Sequence, residues 1–249
     1  MCGMYHIGRE MAGSVDGIIR MVSRERKAGT ETSQWRNPSQ GSECQQWRIP
    51  SQESECQHER IPSQGSECQH ERIPGLEEFF EERDVRPTEL APVISGSNEG
   101  PALRNFRWGL PGFQKGQVIF NARCETAMEK SIFREGVLHN RIVIPALSFY
   151  EWNQRKEKNV FTRQDGGVIY MAGFCAGTGE DERFAILTTE ANVSMAPVHD
   201  RMPLILEESE IEPWLYREDW TESLLRKMPK MLSRKAEYEQ LSLFEIYGS

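Results

Sequence analysis

Apolar residues at Val15, Ile18, Ile19 and Val22 fall on one face of a 3.6-residue period, which predicts an amphipathic helix over residues 14–27 with Ser14 as its cap. The same spacing predicts a turn or two of helix over 76–82 and further helices over 128–140, 207–216 and 220–227. In the 128–140 segment Ile132, Phe133 and Val137 share a face. Elsewhere the apolar runs are short and bounded by turn residues, which predicts strands over 92–95, 102–108, 141–144, 148–153, 160–163, 168–173, 183–188 and 204–206. Many short strands with few intervening helices point to an α+β fold: a mostly antiparallel, barrel-like β core with a few peripheral helices. A regular βαβ succession is absent, which argues against a doubly wound sheet.

Residues 42–74 break this pattern with a direct repeat of period twelve. Cys44, Cys56 and Cys68 each open a unit that closes on Ile-Pro, at Pro50, Pro62 and Pro74. Each unit is rich in Ser, Gln, Glu and Pro and offers one isoleucine, too little apolar surface for a solenoid. Residues 30–75 are therefore expected to be a disordered low-complexity insert within a single domain spanning 1–249. Metal binding through Cys56 with His58 and Cys68 with His70 is the sharper reading, but the twelve-residue spacing fits no usual zinc pattern and duplication explains the recurrence. No metal or organic cofactor is expected.

Composition agrees with an ordered core plus an appendage: 38% of the 249 residues are hydrophobic and the mean hydropathy is −0.61. The longest apolar runs, 142–147 and 168–176, are too short to span a bilayer, and the start of the chain lacks a basic segment leading into a hydrophobic one. A cytoplasmic, monomeric protein without membrane contact is expected, with its six cysteines as free thiols. The net charge of −8 argues against nucleic acid only until its distribution is considered. Residues 101–205 carry 13 Lys and Arg against 11 Asp and Glu, so the acidity sits at the two ends.

Four segments could carry chemistry. In Met1-Cys2-Gly3, removal of the initiator methionine would place a free α-amine and a thiol on one residue. Such a pair captures an aldehyde as a Schiff base that the thiolate closes into a thiazolidine. Asn121-Ala122-Arg123-Cys124-Glu125-Thr126 offers a carboxamide that donates and accepts at once and a guanidinium fork for phosphate; it serves equally as a helix-capping loop. Strand alternation places Glu151 on the same face as Phe149, and if that face is interior, burial raises the carboxyl toward neutrality. His199 lies between Pro197 and Pro203, which stiffen its segment, while Asp200 and Arg201 could form a local ion pair.

Taken in order, Met1-Cys2-Gly3, the run 86–93, Trp108-Gly109, the segment 121–126, the aromatic run 149–152, the segment 187–192 and His199-Asp200-Arg201-Met202-Pro203 resemble the SRAP family. Its members are the SOS-response-associated proteins that process abasic sites in single-stranded DNA. The resemblance implies that Cys2 crosslinks to the ring-opened aldehyde of an abasic site during the DNA damage response. It implies that Asn121 orients the Cys2 end, that Glu151 acts as acid or base at the imine, and that His199 assists sugar-ring opening. Arg123 and Arg201 match positions that contact DNA phosphates, and Trp108 matches an aromatic near the DNA path. The alternatives are a cysteine peptidase using Cys2 and His199, an activity also associated with the family, and a non-catalytic module for single-stranded DNA. Three positions depart from the family pattern. Met4 replaces an arginine, the loop 108–113 is one residue shorter, and Asp84-Val85 replace an Asn-containing run.

Overall fold

A computed structural model describes residues 3–29, 75–112, 114–177 and 181–236. Strand β1 (Met4–Ile7) leads into helix α1 (Met11–Gly29), and a 3-10 turn, Leu76–Phe80, precedes β2 (Arg83–Val85). The hairpin β3 (Leu90–Ser97) and β4 (Gly100–Trp108) is followed by the short strands β5 (Leu110–Pro111), β6 (Val118–Ile119) and β7 (Asn121–Arg123). Helices α2 (Cys124–Ala127) and α3 (Ser131–His139) then give way to β8 (Arg141–Ala146), β9 (Ser148–Trp152) and β10 (Lys158–Arg163). Strands β11 (Ile169–Ala176) and β12 (Arg183–Glu190) form a hairpin, followed by β13 (Arg201–Pro203), β14 (Ile205–Leu206), α4 (Glu208–Tyr216), α5 (Glu218–Leu225) and β15 (Leu232–Ala236).

The α+β expectation holds, and the barrel is literal. Strand β12 pairs with both β4 and β11, so β12, β4, β3, β8 and β11 close on themselves, with β13, β14 and β7 attached. Closure removes the free sheet edges that would otherwise template pairing with another chain. A second, wholly antiparallel sheet runs β15-β10-β9-β1-β2, and only the β12–β4 and β12–β7 pairs are parallel. Between β8 and β9 the chain passes from the first sheet to the second through a single residue, Leu147, whose N–H donates to His6 O across 2.9 Å.

One apolar cluster fills both sheets and the helix faces upon them, including Tyr5, Phe149 and Phe161 from the second sheet and Val93, Ile144 and Ile186 from the barrel. In α1 the predicted stripe of Val15, Ile18, Ile19 and Val22 is buried, as the helical spacing requires. The helix begins at Met11 rather than at Ser14, because Met11 and Ala12 also belong to the buried face. The predicted helix over 128–140 is α3, which starts only at Ser131 because Lys130 takes an extended conformation as its N-cap; the short α2 precedes the predicted segment. Among the described residues no helix is long and apolar enough to cross a membrane. Cys2 and the twelve-residue repeat, with its Cys-Gln-His steps, lie outside the described residues.

Candidate active site

Alternation along β9 sends Phe149 and Glu151 inward. Phe149 stacks on Phe161 of the neighbouring β10, with ring centroids 5.2 Å apart, and Glu151 is only 3% exposed. Burial raises the Glu151 carboxyl above its ordinary range, and the nearby His199 pulls it partly back. Glu151 is thus a carboxyl inclined to hold a proton, and His199 is close enough to feel its charge. Strand β1 runs antiparallel to β9 with Met4 opposite Tyr150, so the chain enters β1 at the Glu151 end of β9.

His199 sits in the segment joining β12 to β13. Asn192 organises that segment: its Nδ2 donates to Pro229 O and Lys230 O at 3.0 and 2.9 Å, while its Oδ1 accepts from the Ser194 N–H and hydroxyl. The prolines at 197 and 203 are less specific anchors than this side chain. His199 Nδ1 lies 3.0 Å from the Arg201 N–H and 2.8 Å from Asp200 Oδ1. When Nδ1 accepts from Arg201, the ring proton is on Nε2, which can then donate a hydrogen bond. When Nδ1 donates to Asp200, Nε2 presents a lone pair and can act as a base.

Arg201 does not present an open fork. Its Nη1 and Nη2 grip Glu125 at 2.7 and 2.8 Å, and Nη2 also donates to Thr188 O at 2.6 Å. This pairing takes the place of the local Asp200–Arg201 ion pair, while Glu125 lies in the first turn of α2. The hydrogen bonds from Arg201 hold the Glu125 carboxyl below its ordinary range. Arg201 is therefore a brace between β13 and α2, which corrects the Asp200 pairing, and it lines the cleft with its guanidinium already bonded to Glu125.

Trp108 is a second correction. It is 0% exposed, lies nearly parallel to Phe184, meets Tyr5 at 5.1 Å and donates from Nε1 to Phe120 O at 2.8 Å. A base cannot stack on an indole whose faces and polar edge are enclosed by the core. Of the two exposed indoles among the described residues, Trp152 and Trp220, Trp152 is 41% accessible and next to Glu151 in β9. Its position at the end of the strand, beyond the last buried residue, is the signal that distinguishes it.

Asn121 and Arg123 share one face of β7, while Ala122 points into the core. Strand β7 lies parallel to β12 with Arg123 opposite Thr188, whose carbonyl Arg201 holds. Arg123 is exposed, forms no ion pair among the described residues, and lines a cleft of about 930 Å³ together with His199 and Arg201. The facing wall is the hairpin between β9 and β10, including Arg155, which sequence reasoning did not single out. Asn153 shapes that hairpin by accepting from the Arg155 and Glu157 N–H groups at 2.9 and 3.0 Å, and Lys156 takes a positive φ of 63°. The structure thus gathers Glu151, His199 and Arg123 at one end of the two sheets, with Asn121 beside Arg123 on β7. The two cysteines among the described residues, Cys124 and Cys175, have thiols that burial pushes up to about 12, which leaves them poor nucleophiles.

Residues 44–246 match the family model described as SOS response associated peptidase (SRAP). The chain is 32% identical over 176 residues to the abasic site processing protein YoaM of Bacillus subtilis, covering 60% of this chain and 77% of that protein. It is 29% identical over 143 residues to the abasic site processing protein YedK of Escherichia coli, covering 54% and 64%. Among solved structures, a Bordetella bronchiseptica protein shares the fold with a TM-score of 0.55 at 24% identity, covering 62% of this chain and 87% of that one. A Bacteroides thetaiotaomicron protein does so with a TM-score of 0.54 at 26% identity, covering 65% and 79%.

Proposed function

The chain belongs to the SOS response associated peptidase family, and from that premise we propose that it processes abasic sites by capturing the ring-opened aldehyde covalently through Cys2. The observation that supports this most is the buried Glu151, its carboxyl raised by burial, within electrostatic reach of His199 at the end of β9 where the chain enters β1. Cys2 lies two residues upstream of Met4, and an extended chain spans at most about 3.6 Å per residue. A nucleophile on that tether is within reach of Glu151.

The chemistry then follows from what each group can hold. Abasic deoxyribose is mostly a closed hemiacetal. His199 takes the proton from the anomeric hydroxyl on its Nε2 lone pair and, as imidazolium, returns it to the ring oxygen as the C1′–O bond breaks, and the aldehyde opens. The Cys2 amine, freed by removal of Met1, adds to C1′, and Glu151 protonates the departing hydroxyl so that water leaves and an imine forms. The thiolate adds to the imine carbon, the nitrogen takes up a proton, and a thiazolidine closes. The balance is one aldehyde and one aminothiol giving one thiazolidine and one water. Arg123 at the cleft offers a guanidinium to a backbone phosphate, Asn121 orients the Cys2 end, and Trp152 offers the exposed ring on which a flanking base stacks.

The test is denaturing electrophoresis after mixing the protein with a single-stranded oligonucleotide carrying one abasic site, beside Cys2→Ala and Glu151→Gln. Capture predicts a shifted covalent species that requires the abasic site and Cys2 and forms about 10²–10⁴-fold more slowly with Glu151→Gln. A Cys2→Ala variant that still gives the shifted species contradicts it.

A further inference from the structure

The antiparallel registers of the second sheet define its outer face row by row. Lys235, Val160, Tyr150 and Met4 form one row, and Lys158 and Trp152 form the next. Tyr150 and Met4 are buried, so the face is closed over β1 and the middle of β9. Across β10 and β15 it is open: Lys235 is exposed, and Val160 and Lys158 are half-exposed. Lys158 Nζ lies 4.1 Å from the Tyr150 ring centroid, a cation resting on an aromatic face. Neither lysine has a carboxylate at ion-pair distance among the described residues. Asp84 accepts from His6 and Tyr150 at 2.9 Å each and also feels the Lys158 charge, without forming an ion pair with it.

Lysine on an edge strand commonly serves to discourage sheet-to-sheet pairing, and Lys235 on β15 could do only that. Lys158 cannot be explained so, because β10 is flanked on both sides by β9 and β15. The two lysines are diagonal neighbours, about 7–8 Å apart along the face. The row they form begins at the same β9–β10 hairpin whose other side, through Arg155, walls the cleft.

We propose that the outer face of β10 and β15 is a secondary binding surface for the polynucleotide strand beyond the reacting nucleotide, with Lys158 and Lys235 contacting its phosphates. The strand leaves the cleft over the hairpin, passes Trp152, and lies on a surface whose two lysines have no carboxylate at ion-pair distance among the described residues. This rests on the capture reading for its direction, since the strand must start at the site. It adds that affinity depends on strand length.

The experiment measures equilibrium binding of unmodified oligothymidylate, 20 and 5 nucleotides long, to the full chain and to Lys158→Ala/Lys235→Ala across a salt series, with thermal unfolding of both proteins to confirm folding. The proposal predicts that the double variant binds the 20-mer several-fold more weakly. Its log–log salt slope should become shallower by about 1.4, the value for two lost phosphate contacts, while binding of the 5-mer is unchanged. An unchanged slope for the 20-mer, or equal weakening for both lengths, overturns it. Crosslinking of an abasic 20-mer by the parent protein is scored in parallel. A parent that binds with the predicted slope but never crosslinks refutes capture and leaves the surface standing.

Discussion

Glu151 combines two properties that pull against each other. Burial raises its carboxyl, so at a pH above its folded value the ionised form costs the fold, while at a pH below the ordinary carboxylate range both the folded and unfolded forms are protonated and the cost vanishes. Glu151→Gln should therefore raise Tm by about 2–4 °C near neutral pH, a gain that disappears near pH 4, while slowing capture. Calorimetry at the two pH values checks the sign; a variant that melts earlier at neutral pH contradicts it. The two tryptophans separate stability from binding in the same way. Trp108→Ala should destabilise by about 3–5 kcal/mol, whereas Trp152→Ala should leave the melting curve nearly unchanged and weaken single-strand binding by about 1–3 kcal/mol. Period-2 alternation makes the pairing of Glu151 with the Phe149 face legible in the sequence, whereas the burial of that face comes from its packing on β10, since Tyr150 on the opposite face is buried too. The burial of Trp108 is not legible either, since the partners that enclose it, Tyr5, Phe120 and Phe184, come from distant parts of the chain.

Between elements, the strand that follows Cys2 is held on both sides. His6 of β1 pairs in register with Asp84 of β2, and Asp84 Oδ1 also accepts from the Tyr150 hydroxyl of β9. Partial burial alone would raise the Asp84 carboxyl, but the hydrogen bonds from His6 and Tyr150 prevail and hold it below its ordinary range. Stability from such a depressed carboxyl is present above its unfolded value and is lost as pH falls through the folded one. Asp84→Asn should thus cost about 1 kcal/mol at pH 7, with the difference from the parent narrowing below about pH 4. A constant difference across that range, seen in urea melts, would show that the carboxylate charge is not what ties the strands. The long strands and most helices are legible from apolar spacing. Strands β7, β13 and β15 are not, because they are short and largely polar and exist through their pairing with β12 and β10. The Glu125–Arg201 brace depends on the same pairing and escapes local reading for the same reason.

At the scale of the whole molecule, the closed barrel is what the succession of short strands foretells, and the second sheet carries the site at one end. The chain leaves α1 at Gly29 and returns at the 3-10 turn over Leu76–Phe80, which packs against α1. Replacing residues 32–72 with a short Gly-Ser linker should therefore leave Tm within about 2 °C, since lengthening a surface loop changes its closure entropy only logarithmically. A larger fall, measured by calorimetry, would show that the repeat contributes to the core. The event at the centre of the proposed function is the joining of Cys2 to an abasic-site aldehyde. Intact-mass spectrometry of the protein mixed with an abasic single-stranded oligonucleotide observes that event directly. Capture predicts one new species whose mass equals the chain without Met1 plus the oligonucleotide minus one water, absent with Cys2→Ala. A protein shown to lack Met1 that yields no such species, or one that yields it without Cys2, would contradict capture.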